Sequence, residues 1–234
     1  MKNNRLGLVI SHLHVRPNEH ARFEMLDYVI QDYKKIHKNL FIVVSGHGDH
    51  PPESIVSQVD EIYWENKINH KEIGVGHPHF CIKSYEILKT NNVERLIKTR
   101  FCDLIGNKKL LLSLTAENSN MIFTEQTCLE RKMIGDLFMI GHTDKILQLY
   151  AVRPWDYSKS GLYNLFDNMT ILAEKENKNI KDFLNTDAKF VDPESLKWFD
   201  ISSRWDSQKL TISQPLTEND LWGKSQNYPY YGGF

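Results

Sequence analysis

Continuous apolar runs alternate with amphipathic segments over the first hundred residues of the chain. Short apolar runs bounded by polar residues are typical of strands buried on both faces of a parallel sheet. Between the first two runs, residues 18–38 carry apolar side chains at spacings of three and four, which indicates a helix with one buried face and Asn18 as its N-cap. The predicted strands are residues 6–11, 40–46, 61–64 and 95–100.

This order of elements predicts a fold of the α/β class. Pro51 and Pro52 mark a turn that leads to a short helix, residues 71–76 form a glycine-containing loop, and residues 79–91 have a helical pattern. Alternating strands and helices build a mostly parallel central sheet with helices on both faces. Ligands of such sheets bind outside the carboxyl ends of the strands. Polar residues follow all four predicted strands there, at residues 11–12, 45–47, 64–65 and 100–103.

The pattern loosens after residue 107, and the sheet is expected to be formed by residues 1 to about 150. No repeat and no linker marks a second domain, so residues 1–234 are predicted to form one domain. Its first half, residues 1–106, is expected to bind the ligand, and residues 107–234 supply the second half and an irregular C-terminal segment. Further helices are predicted at residues 108–116, 144–151 and within 162–184, and further strands at 121–124 and 133–140.

The composition limits which binding partners and which cellular compartment are expected for the chain. The net charge is −1, from 29 basic and 30 acidic side chains, so the chain lacks the basic surplus of a protein that binds nucleic acid. Three widely spaced cysteines fit a reducing compartment better than a disulfide framework. No run approaches the roughly 18 apolar residues of a membrane span, so a cytoplasmic protein is expected, with peripheral membrane contact left open.

Two segments carry the residue types of a phosphate and metal site. The predicted strand at residues 95–100 delivers Lys98, Arg100 and Asp103 to one strand end. A carboxylate there can hold a divalent ion and the cations can meet phosphate, although a solvated strand end explains the same residues. In the second segment, Asp136 and Asp144 flank an apolar strand. Asp144 is also a good N-cap for the helix that follows.

Residues 98–103, 135–141 and 143–146 together resemble the WavE-type lipopolysaccharide-synthesis glycosyltransferases. In that family a strand ending in K-x-R-x-D precedes a D-x-aromatic-x-x-G strand and an acidic helix start, and the similarity spans roughly residues 6–150. Two departures stand out: two residues separate Arg100 from Asp103 where the family has one, and Phe101 stands where a D-x-D motif has its first carboxylate. A single carboxylate binds metal more weakly than a pair.

The resemblance implies a GT-A-like fold and a glycosyltransferase of polysaccharide biosynthesis. Its donor would be a nucleotide sugar, its acceptor a glycan, glycolipid or glycoprotein, and its cofactor a divalent ion, manganese or magnesium. Transfer needs a neutralised diphosphate and, if the product is inverted, a base near the acceptor hydroxyl. The candidates are Ser11, His12, Lys98, Arg100 and Asp103 for the donor, Asp103 and His142 for the metal, and Asp136 and then Asp144 for the base.

Other interpretations of the sequence remain open. His12 and His14 form an HxH pair after a strand, and residues 45–50 and 141–144 are Gly/His/Asp loops, as in metal-dependent phosphoesterases and amidohydrolases. A non-catalytic binding protein with the same core is a second alternative. Residues 74–77 form a weak phosphate-loop candidate at a helix start. The tryptophans and tyrosines after residue 197 could stack on a sugar or pack against the sheet.

Overall fold

The structure of the chain is a computed structural model. The residues it describes are 5–15, 19, 21–66, 73–123, 132, 134–135, 137–159 and 161–221. The strands are β1 (Leu6–Val15), β2 (Leu40–Gly48), β3 (Glu61–Glu65), β4 (Arg95–Thr99), β5 (Asp103–Ile105), β6 (Met121–Phe123), β7 (Met139–His142), β8 (Ala188–Phe190), β9 (Trp198–Asp200), β10 (Trp205–Asp206) and β11 (Thr211–Ile212). The helices are α1 (Ala21–Ile36), α2 (Glu53–Val56), α3 (Ile73–Thr90), α4 (Lys108–Ala116), α5 (Thr143–Ala151), α6 (Gly161–Lys175), α7 (Ile180–Asp187) and α8 (Pro193–Leu196).

The central sheet has seven strands in the order β3-β2-β1-β4-β7-β6-β8. Strands β3, β2, β1 and β4 are parallel to one another, and β7 is antiparallel to both of its neighbours. Strands β6 and β8 are parallel to each other and run in the direction of β4. The predicted fold class, a mostly parallel α/β sheet, is therefore confirmed. The expected limit at about residue 150 is wrong, because β8 comes from residues 188–190.

Helices cover both faces of this sheet, as predicted. Ile97 of β4 belongs to a buried cluster with the apolar faces of α1 and α4, whereas its neighbour Leu96 packs in a second cluster with α3, α5 and α6. This is the alternation expected of a strand that is buried on both sides. Within the described residues, no helix combines the length and the apolar composition that a membrane crossing requires.

Several local predictions need correction. The glycines at positions 74 and 76 lie in the first turn of α3 and not in a loop. The strand predicted at residues 133–140 begins only at Met139. Residue His142, and not Asp144, holds the N-cap position of α5, without a side-chain capping bond. Asn18, the predicted cap of α1, lies outside the described residues.

The C-terminal segment is more ordered than predicted. Strand β9 pairs with β5 in an antiparallel two-stranded sheet, and β10 pairs with β11 in another. Trp198 of β9 is fully buried and its ring contacts that of Phe138, so this aromatic side chain is part of the core. Trp222 and the tyrosines near the C-terminus lie outside the described residues.

Candidate functional site

The order of the strands reverses between β1 and β4. From β1 the chain builds outward through β2 to β3 on one side, and then returns to place β4 on the other side. In open α/β sheets, this switch point leaves a crevice at the carboxyl ends of the strands, where ligands bind. The edge of the sheet at which β1–β4 end is therefore the candidate site, and it is called the carboxyl edge below.

A β-bulge shapes β1 at this edge. Pairing with β2 runs regularly to Ile10 and resumes at Leu13 with one residue more on β1, so the bulge falls at Ser11 and His12. Gly46 lies opposite, and a Cβ atom there would stand 2.0 Å from the backbone oxygen of Leu13. Only glycine fits at such a distance. The Ser11 hydroxyl lies 3.1 Å from the sulfur of Cys81 on α3, and the His12 side chain lies outside the described part.

Arg100 and Asp103 form a tight ion pair where β4 ends. The guanidinium Nη2 donates to Asp103 Oδ1 at 2.6 Å, and Nε donates to both oxygens at 3.1 and 3.0 Å. The backbone N–H of Arg100 donates to Oδ2 at 3.3 Å. Asp103 has no exposed surface, while the Arg100 side chain keeps 23% of its surface exposed. The resemblance predicted neighbouring roles for these residues, and the structure brings them into contact.

Asp200 joins this pair from the C-terminal segment. The pairing of β5 with β9 sets Asp200 opposite Asp103. Its Oδ2 accepts from Arg100 Nη2 at 3.2 Å, and its Oδ1 accepts from the backbone N–H and the hydroxyl of Ser202 at 2.9 and 2.6 Å. The network of Arg100, Asp103 and Asp200 is called the arginine clamp below. Cys102 borders it, and its backbone oxygen accepts from the N–H of Ile201 at 2.9 Å.

Burial governs the protonation of the arginine clamp. Burial raises the pKa of Asp103, and the adjacent Arg100 guanidinium opposes this shift. Burial also acts to lower the pKa of Arg100, but the Asp103 carboxylate outweighs it and the net direction is upward. Burial and Asp103 together raise the pKa of the Cys102 thiol well above its usual value. Arg100 is therefore the permanent charge of this cluster, and Cys102 stays a neutral thiol.

The divalent ion implied by the resemblance can be tested against this donor set. The sulfur of Cys102 and one oxygen each of Asp103 and Asp200 lie within 4.8 Å of one another, so their number and spacing suit one ion. However, a carboxylate offers about four lone-pair directions, and the guanidinium and backbone N–H of Arg100 use those of Asp103. A neutral thiol is also a poor ligand for manganese or magnesium. In this arrangement the residues hold a guanidinium and do not fit a metal.

Lys98 lies on the other face of the sheet. Its side chain is buried, its ammonium lies 3.4 Å from the hydroxyl of Tyr150, and it stands 5.9 Å from the centre of that ring. Successive side chains of a strand point to opposite faces of the sheet. The next residue, Thr99, accepts a hydrogen bond from Tyr33 of α1 at 3.3 Å, so Lys98 points to the other face. Lys98 and the arginine clamp are thus separated by the sheet, although both belong to the end of β4.

A polar cluster that the sequence did not reveal lies farther along the carboxyl edge. The hydroxyl of Tyr63 donates to Glu65 Oε1 at 2.6 Å, and Nε2 of His79 lies 2.8 Å from that hydroxyl and 3.0 Å from that oxygen. The hydrogen bond from Tyr63 holds the pKa of Glu65 below its usual value. Tyr63 and Glu65 come from β3 and His79 from α3. Of these three residues, the sequence points only to Glu65, as a polar residue at a strand end.

Two predicted site residues lie at the opposite edge of the sheet. His142 pairs with Arg95, the first residue of β4, about 13 Å from its last residue at the ordinary rise per residue. It lines a cleft of about 520 Å³ together with Arg95 and Glu94. Asp144 follows it, with 72% of its side chain exposed and an ion pair to Lys89 at 2.8 Å. The prediction that His142 shares a metal site with Asp103 does not match this placement.

Asp136 and the two Gly/His/Asp loops are the remaining groups predicted for this site. Asp136 lies outside the described residues, and β7, which begins three positions later at Met139, starts at the carboxyl edge beside Lys98. His47 is the next-to-last residue of β2 at the carboxyl edge, whereas His142 ends β7 at the other. The two Gly/His/Asp loops that suggested a metal-dependent hydrolase therefore do not meet, and the loop at residues 141–144 cannot complete a metal site with the one at residues 45–50.

Comparisons with known proteins found similar solved structures but no match in sequence. No family model and no curated protein matches this chain in sequence. A glycosyltransferase involved in glycosylation of the major capsid of PBCV-1 is 10% identical, with a TM-score of 0.44 over 81% of this chain and 82% of that one. A protein assigned as a nucleotide-diphospho-sugar transferase of Desulfovibrio desulfuricans G20 is 7% identical, with a TM-score of 0.45 over 96% and 98%. One assigned as a glucose-1-phosphate thymidylyltransferase of Bacillus anthracis, solved with a sucrose, is 8% identical, with a TM-score of 0.49 over 91% and 96%. At these identities no residue role is transferred.

Proposed function

We propose that the chain transfers a sugar from a nucleoside-diphosphate sugar to a glycan, glycolipid or glycoprotein acceptor. The observation that carries this proposal is the switch point between β1 and β4, which has a fixed guanidinium at the end of β4. A diphosphate leaving group needs a positive charge held in place as the bond to the sugar breaks. Arg100 is the cation held at this strand end before the donor binds, by its ion pairs with Asp103 and Asp200.

The carboxyl edge also offers groups for the rest of the donor. The bulge places residues 11 and 12 of the chain at this edge, and the cluster of Tyr63, Glu65 and His79 lies two strands away along the same edge. We assign the donor to the half built from residues 1–106 and the acceptor to residues 107–234. Asp136 remains the proposed base, because β7 enters the sheet from this edge.

Binding of intact donors tests the proposal directly. UDP-, GDP-, CMP- and dTDP-sugars are screened by thermal shift, and the best one is then measured by calorimetry. At least one is expected to bind and raise the melting temperature. If none binds and none is turned over in the presence of a glycan acceptor, the proposed function is wrong.

Two matched histidine variants test the location of the donor. His79→Ala removes a half-exposed imidazole at the carboxyl edge, and His142→Ala removes one at the opposite edge. A lost hydrogen bond to a charged group is worth about 1.5–3 kcal/mol, so His79→Ala should weaken donor binding about tenfold or more. His142→Ala should leave it unchanged. The reverse result would move the donor to the cleft beside Arg95.

A further inference from the structure

We propose that Arg100 takes the place that a divalent ion would occupy at the end of β4, and that Asp103 and Asp200 orient this guanidinium and bind no metal. The consequence for the donor rests on the proposed function: its diphosphate would meet this carboxylate-held arginine, without manganese or magnesium. Asp103 and Asp200 are then positioning residues, and Arg100 is the group that meets the donor.

The exposed surface of the arginine clamp supports this assignment. Asp103 has no exposed side-chain surface and Asp200 has 7%, whereas Arg100 keeps 23%. A ligand that approaches the end of β4 therefore meets the Arg100 side chain before it meets either carboxylate. A metal ion would instead need the carboxylate oxygens turned toward the crevice and an arginine displaced from both of them.

The geometry also explains why two carboxylates are used. Asp103 binds the Nε and Nη2 side of the guanidinium, and Asp200 binds Nη2 from the neighbouring strand. The bidentate contact with Asp103 sets the plane of the guanidinium, and the contact from Asp200 holds it from a second direction. A planar guanidinium of fixed orientation offers phosphate oxygens a cation in a set position. The carboxylate missing at position 101 is thus replaced across the β5–β9 pair, in a different role.

Manganese titration of the intact protein, followed by electron paramagnetic resonance, tests the metal part without any donor. The wild-type chain is expected to show no site tighter than about 1 mM, the weak end for carboxylate sites. A one-to-one manganese site in the wild type that disappears in Asp200→Asn would overturn the proposal. Arg100→Ala should bind manganese where the wild type does not, because it exposes three ligand atoms that lie within 4.8 Å.

Donor binding tests the positioning role. The donor found by screening is measured in EDTA and in manganese, and the two dissociation constants should agree within about twofold, since a metal would otherwise supply charge-assisted contacts. The Arg100→Lys variant keeps the charge but loses the planar guanidinium, and the Asp200→Asn variant keeps the arginine but holds it less firmly. Each should weaken donor binding about tenfold or more. A clamp that is only structural would lower the melting temperature and leave the dissociation constant unchanged.

Arg204 and Asp220 provide the matched control for this experiment. They form an arginine–carboxylate pair at 2.6 Å in the same C-terminal segment, with 30% and 4% of their side chains exposed. The Arg204→Lys variant should have a lower melting temperature and unchanged donor binding. If Arg204→Lys weakens the donor as much as Arg100→Lys does, the effect is general and the proposal is wrong. If no donor binds in either buffer, the proposed function fails, and the manganese titration alone decides this inference.

Discussion

Replacement of Asp103 by asparagine should destabilise the fold strongly. The variant keeps the size of the side chain but removes the charge that Arg100 contacts at 2.6 Å in a fully buried position. Loss of one partner of a buried ion pair costs about 3–5 kcal/mol, because the remaining charge stays buried. Asp200 still accepts from Arg100 at 3.2 Å, so the low end, about 3 kcal/mol, is expected. For a chain of this length that lowers the melting temperature by about 6–12 °C.

Urea unfolding followed by circular dichroism measures this loss, with Asp144→Asn as the control. Asp144 also forms a short ion pair, but 72% of its side chain is exposed, so its loss should cost about 0–1 kcal/mol. An Asp103→Asn variant that loses less than about 1 kcal/mol would behave as an exposed pair does. That result would refute the buried ion pair and reopen Asp103 as a candidate metal ligand.

Three further substitutions test other parts of the argument. Gly46→Ala places a Cβ atom 2.0 Å from the backbone oxygen of Leu13 and should cost about 1–3 kcal/mol in urea unfolding. Trp198→Ala empties a fully buried ring site and should cost about 3–5 kcal/mol. For Asp187, burial acts to raise the pKa, but hydrogen bonds from Thr186 and Lys178 outweigh it and hold the pKa below its usual value. Its contribution to stability is therefore complete above the usual pKa near pH 4 and lost as the pH falls through the lowered pKa, so the wild-type and Asp187→Ala stabilities should converge in acid.

The parallel half of the sheet could be predicted because its signal is local. Strands β1, β2 and β4 are short apolar runs buried on both faces, and such runs differ from the amphipathic pattern of α1 within a few residues. The glycine-rich start of α3 misled the prediction, since glycine is a poor helix former on average. Helix α3 as a whole packs against β1 and β2, and tertiary contacts can override the local preference of glycine.

The antiparallel strand and the last strand of the sheet could not be predicted in the same way. Strand β7 has four residues and β8 has three, which is too short for a periodic signal. Direction and order in a sheet depend on contacts between distant segments, and no local pattern records them. The same cause explains why His142 lies far from Asp103. Strand β7 runs antiparallel to β4, so its last residue lies at the opposite edge of the sheet.

The candidate site shows the same division between local and distant information. Arg100 and Asp103 are three positions apart, so the sequence already placed them at one strand end. Asp200 is 100 positions from Arg100, and only the pairing of β5 with β9 brings it to the same guanidinium. Because one carboxylate of the clamp comes from each half of the chain, the orientation of Arg100 depends on the C-terminal segment being docked. Strand β8 extends the central sheet from that same region. A division into a donor half and an acceptor half therefore describes where ligands would lie, while the position of the guanidinium that would face the donor requires both halves.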